Sequence, residues 1–201
     1  AQVLQTGGSG ANPSWTTMSS DMVKIAGGST TASASIDIQG CFSATYKIYK
    51  LIMGFTFAAG TYIEVGLLNA SDNSHNGNTY RTFGNGQYSN NTTGNSRYTS
   101  TAGSQSGFGM DDSQGFRPIN TWQNYYDSEH SQLEMTFDNP FAARKTMMHS
   151  IATWSQPNYV GVEHAIGAHD ATVSISGLRI GSASGSNFTT TGYYAVYGLK
   201  N

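Results

Sequence analysis

A chain of 201 residues with 11% charged residues, 24 glycines and a net charge of −2 lacks most of what a helical protein uses. Charged residues ordinarily make up about a quarter of a domain, and helices draw on Ala, Leu, Glu and Lys. Ten basic residues against twelve acidic ones, with no basic run, leave nothing to recruit nucleic acid, while 37% hydrophobic residues exclude a disordered polymer.

Residues 1–12, AQVLQTGGSGAN, contain little apolar surface and read as an extended N-terminal arm. That leaves 13–201 for a β-sandwich domain. Trp15–Met18 is a short first strand, and Ala34–Ile38 follows with Ile36 and Ile38 on one face and Asp37 on the other. Across Thr45–Phe57, the residues Tyr49, Leu51, Met53, Phe55 and Phe57 share a face. A turn at Ala58–Gly60 leads into Thr61–Leu68, where Ile63, Val65 and Leu67 point one way and Glu64 the other, so the two segments read as a hairpin.

Residues 69–128 form a loop-rich insertion of Asn, Gly, Ser, Thr and Gln with aromatics spaced through it. Such a length is too long for one structureless loop, and Asn76-Gly77, Asn85-Gly86 and Gly107-Phe108-Gly109 are its expected turns. Its aromatics either form a recognition surface, with Trp122, Tyr125 and Tyr126 the candidate binding residues, or pack inward as a satellite core.

Regular alternation resumes at Leu133, Met135 and Phe137, is broken by Asn139-Pro140, and resumes again over Arg144–Trp154, with a weaker strand at Tyr159–Val162. Near the end, Val173 and Ile175 alternate with Ser and Thr until Gly177, where the phase slips before Leu178 and Ile180. A glycine at a phase slip predicts a β-bulge. The chain closes on a strand rich in aromatic and β-branched residues, Thr189–Tyr197. The fold expected is all-β: an antiparallel β-sandwich, jelly-roll-like, whose core rests on Leu51, Met53, Ile63, Val65, Leu133, Met135, Phe137, Val173 and Ile175.

Chemistry-bearing patterns are sparse. Cys41 is the single cysteine, so no intrachain disulfide or zinc finger is expected. No apolar run approaches the roughly 18 residues of a membrane span, and the N-terminal stretch has neither the charged n-region nor the apolar h-region of a signal peptide. Glu163-His164 and His169-Asp170 bring imidazoles and carboxylates close in sequence, but their spacing suits no zinc site and a loop at Gly167 is expected between them. Asp111-Asp112 lacks the rest of a calcium loop. Glu64 and Glu134 could face each other as a glycosidase pair, though alternation puts both on polar strand faces. No catalytic residue, metal or cofactor is expected, and the chain does not read as an enzyme.

The ending "LRI", a Gly/Ser loop and a final strand "YAVYGLK" resemble a module of tailed-bacteriophage virion proteins, found at the tips of tail and head fibres and in capsid decoration proteins. The resemblance continues through Trp15 in SWTTM, TTASASIDIQG at 30–40, YKIYKLIM at 46–53 and LEMTFDNPFAARKTMMHS at 133–150. It covers roughly residues 12–200, apart from 69–128, and brings no catalytic residues with it. It implies a structural virion protein, foremost a decoration or cement protein gripping neighbouring subunits. The alternative it implies is the receptor-binding tip of a tail or head fibre. The partners implied are major capsid or fibre subunits and further copies in a homo-oligomer, a trimer among the forms open to it. A host-surface glycan is added in the tip reading. The expected location is the virion, assembled in the host cytoplasm without a secretion signal, with no nucleic-acid partner and no membrane insertion.

Overall fold

The computed structural model describes residues 2–17, 21–71, 75–76, 80–90, 94–100, 115–116, 118, 130–156 and 159–200. Among them every regular element is a strand. In chain order these are β1 (Gln2–Gln5), β2 (Ser14–Thr17), β3 (Met22–Ser29), β4 (Ser35–Ile38), β5 (Ile48–Phe55), β6 (Ile63–Asn69) and β7 (His75–Asn76). They continue with β8 (Tyr80–Asn90), β9 (Gly94–Ser100), β10 (Ser131–Asp138), β11 (Thr146–Gln156), β12 (Tyr159–His169), β13 (Ile175–Ser182) and β14 (Tyr193–Leu199).

The strands form an eight-stranded sheet in the order β3-β14-β5-β10-β11-β12-β8-β9, a four-stranded sheet β4-β13-β6-β7 and a separate hairpin β1-β2. The two larger sheets make a sandwich because each has one continuous apolar face to bury. Tyr49, Leu51, Met53 and Phe55 of β5 and Leu133, Met135 and Phe137 of β10 share one core with Ile63, Val65 and Leu67 of β6 and Ile175, Leu178 and Ile180 of β13. Alternation along β10 is strict, with Leu133, Met135 and Phe137 buried and Gln132, Glu134 and Asp138 exposed. Phe42, in the β4–β5 connection, closes one end of the core against Tyr49 and Phe137, with ring centroids 4.7 and 5.4 Å away. Phe57 and Phe188 stack at 4.5 Å near Phe55 and close another part of it. Eight of the nine predicted core residues are buried; Val173 lies before β13 and is half-buried.

Several elements differ from expectation. β5 and β6 do not form a hairpin: β5 lies between β14 and β10, and β6 lies in the other sheet. Both carry apolar core faces, and the Ala58–Gly60 turn carries the chain from one sheet across the core to the other, so they meet face to face. Asn85-Gly86 is not a turn but the middle of β8, which is paired on both sides, with β12 and β9. β12 is eleven residues long and passes through Gly167 without a loop, because β11 and β8 hold it along its length. β3 escapes the sequence reading because Gly27 and Gly28 interrupt its alternation. The arm contains a strand of its own, β1, paired with β2 through Gln2↔Thr17, Val3↔Thr16, Leu4↔Trp15 and Gln5↔Ser14.

The C-terminal elements follow expectation in order, though the closing strand β14 begins at Tyr193 rather than at Thr189. Asn139 adopts φ 45°, a left-handed conformation that Asn tolerates, where β10 ends. The β13 ladder shifts register between Ile175 and Gly177, which is the predicted bulge. β14 is held on both sides, by β3 and β5, and so forms an interior strand of the large sheet.

Candidate functional site

The titratable residues weighed for catalysis and set aside are pulled apart by the sheets. On β12, His164 projects to the exposed outer face while Glu163 and His169 face inward and are buried. His169 packs its ring 4.9 Å from Tyr80, and Asp170 pairs with Lys145 at 2.8 Å. Glu134 sits on the outer face of the large sheet and pairs with Lys50. Glu64 is not solvated as alternation suggested: it is buried in a recess of about 230 Å³ beside Ser35, Gly66, Arg179 and Ser182. It lies on the face of β6 turned away from the shared core, so the thickness of the sandwich separates it from Glu134. Facing sheets alone stand about 10 Å apart, more than the 5–9.5 Å of a glycosidase pair. Among the described residues, no group of three His, Cys, Asp or Glu could hold a metal ion.

Cys41 is a buried thiol, and burial pushes its pKa from 9.0 up to about 12, which leaves it in the unreactive neutral form. Tyr80 is also raised by burial, partly offset by the Leu67 N–H that donates to its hydroxyl at 2.9 Å. Of the aromatics in 69–128, Tyr80 and Phe116 are buried; Phe116 bridges Val65 through two backbone hydrogen bonds of 2.8 Å. Trp122, Tyr125, Tyr126 and the Asp111-Asp112 pair lie outside the described residues.

Two surfaces stand out instead. The first is the β1-β2 hairpin, which sets Leu4 directly opposite Trp15, with 55% and 67% of their surfaces exposed. The second is the outer face of the large sheet. A strip of Met147, Ile151 and Ile166 is exposed there with His149 and His164 between them, since the register pairs His149 with Ile166 and Ile151 with His164. Beside it runs an open trough of about 590 Å³ over β10, β11, β12 and β8.

At the trough's end, β5 contributes Gly54. A Cβ there would lie 2.6 Å from both His130 Nε2 and Tyr193 Cε1, so only a glycine lets these two rings meet above the strand. Their centroids are 6.3 Å apart and their planes 29° from parallel. None of this is visible in sequence, because the trough is assembled from alternate residues of four strands whose neighbourhood is set by pairing.

No protein-family model and no curated protein matches the chain. Among solved structures, the crystal structure of the infectious bursal disease virus VP2 subviral particle aligns with it at 9% identity and a TM-score of 0.14. That alignment covers 100% of this chain and 47% of the other, and a likeness so low carries no argument about fold or function.

Proposed function

We propose that the chain is a non-catalytic structural protein of a tailed-phage virion, a decoration or cement protein that grips neighbouring subunits. The observation that carries this reading is the Leu4–Trp15 pair on the β1-β2 hairpin. An isolated two-stranded hairpin is marginal in water, and exposed tryptophan, which often anchors an interface, lies here beside an exposed leucine. A hairpin that presents both is built to be completed by a neighbour, in line with the resemblance of the strand order to virion modules. The exposed Met147, Ile151 and Ile166 strip offers a second apolar contact surface. The fibre-tip alternative rests on Trp122, Tyr125 and Tyr126, outside the described residues.

The test is the copy number of this protein in purified particles, measured by quantitative mass spectrometry, together with incorporation of a Leu4→Ala/Trp15→Ala variant. Hundreds of copies per particle, lost in the variant while its melting temperature is unchanged, are the expected result. A few to tens of copies would place the chain in a fibre, and a variant incorporating as well as the native chain would remove the hairpin from assembly.

A further inference from the structure

The trough on the outer face of the large sheet is a second surface, separate from the hairpin and from the assembly reading. Its floor is one row of side chains across four adjacent strands: Gln132 opposite Thr153, Thr153 opposite Val162, and Val162 opposite Gln87. Three interstrand spacings make that row about 14 Å long, the reach of a short oligosaccharide rather than of a single sugar. Gln132, Thr153 and Gln87 are exposed on the floor, with Val160 on one rim and His130 at the end nearest β5.

We infer that this trough binds a neutral oligosaccharide. No Asp, Glu, Lys or Arg is among the described residues that line it, so those residues carry no fixed charge with which to select an anion or a cation. Amides and hydroxyls both donate and accept, which matches sugar hydroxyls that do the same. Val160 and Val162 offer apolar patches for the C–H faces of the rings. The His130–Tyr193 shelf over Gly54 lies in line with the floor, since Tyr193 pairs with Gly54 and Gly54 with Gln132. Tyr193 is 47% exposed, and an exposed aromatic face of this kind is where a pyranose ring stacks. An extended peptide would instead seek an unpaired sheet edge for its backbone hydrogen bonds, and the strands of this floor are paired on both sides. An apolar small molecule would need an enclosed pocket, not an open trough.

The experiment is calorimetry of the full chain against neutral tri- and tetrasaccharides of glucose, galactose and N-acetylglucosamine, with sialylated and sulfated trisaccharides beside them. The variants are Gln87→Ala/Gln132→Ala and Tyr193→Ala. The expected result is saturable binding of at least one neutral probe, weakened about tenfold or more by each variant, with melting temperatures held because the altered side chains are exposed. Binding confined to the charged probes overturns the inference, as does neutral binding that neither variant moves. No binding to any probe overturns it too, while leaving the assembly reading intact, because particle incorporation reads a different surface.

Discussion

Arg179 of β13 donates from Nε and Nη2 to the two carboxylate oxygens of Asp37 on β4, each at 2.7 Å, and the two residues are direct cross-strand partners. This fork ties down a four-residue strand at the edge of the small sheet. The hydrogen bonds it donates to Asp37 raise the guanidinium pKa further above its already high value, so the arginine is charged at every working pH. Both side chains are part-exposed, and exposed pairs contribute at most about 1 kcal/mol. A double-mutant cycle of Asp37→Asn and Arg179→Met is expected to give a coupling energy of about 0.5–1 kcal/mol that shrinks in high salt. Arg179→Lys should lose most of it, because an ammonium cannot reproduce the two-point fork. A coupling near zero would reduce the fork to a surface contact.

The register of β10 can be tested from both of its faces. Met135 and Phe137 are fully buried between the sheets, and Phe137 meets the Phe42 ring. Met135→Ala is expected to cost about 2–5 kcal/mol and Phe137→Ala about 3–5 kcal/mol in urea unfolding. Gln132→Ala, on the exposed face, should stay within about 0.5 kcal/mol. A one-residue slip would exchange the two outcomes.

That contrast marks where the sequence is informative. The strands β5, β10 and β13 were legible because one face of each meets the core and the other does not, which writes a period of two into the residues. β8 and β12 were obscured for the opposite reason. Their inner face carries the small residues Gly84, Gly86, Ala165 and Gly167, all buried, so burial there is not signalled by hydrophobicity. Pairing between sheets was illegible as well: β5 and β6 are neighbours in sequence, and only the two-layer packing puts them on opposite sides of the core. The trough fails at the same step, since Gln87, Gln132, Thr153 and Val162 become neighbours only through three ladders.

Cys41 and Tyr80 predict a loss of stability at alkaline pH. An unfolded chain ionises the thiol near pH 8.5, whereas the buried thiol holds its proton to about pH 12. Between those values the unfolded state binds fewer protons than the folded one, so stability falls as pH rises. Tyr80, also raised by burial, adds a loss of the same sign from about pH 10 upward. The expected observation is a urea midpoint that is steady around neutrality and declines above about pH 8.5, with a shallower decline in Cys41→Ala. The native thiol should resist alkylation at neutral pH and react once the chain is unfolded. A thiol that reacts freely in the native protein would contradict its burial.

The bulge at Gly177 offers a matched comparison within one strand. A Cβ at 177 would stand 2.5 Å from the Ile38 carbonyl oxygen and 3.1 Å from Gln39 Cα, both backbone atoms of the adjoining segment. Four residues on, a Cβ at Gly181 would meet nothing closer than the Ala34 oxygen at 3.3 Å, a gap that a few tenths of an ångström of adjustment can relieve. Backbone at position 38 cannot yield so easily, because Ile38 is buried in the core and paired with Leu178. Gly177→Ala should therefore cost about 1–3 kcal/mol, the usual range for forcing extra volume into a packed site. Gly181→Ala should cost little, and replacing a strand glycine by alanine offsets part of that by about 0.5–1 kcal/mol. Urea melts of the two variants decide the matter. Equal effects would mean that the glycine at the phase slip answers to something other than the close approach of β4 to β13.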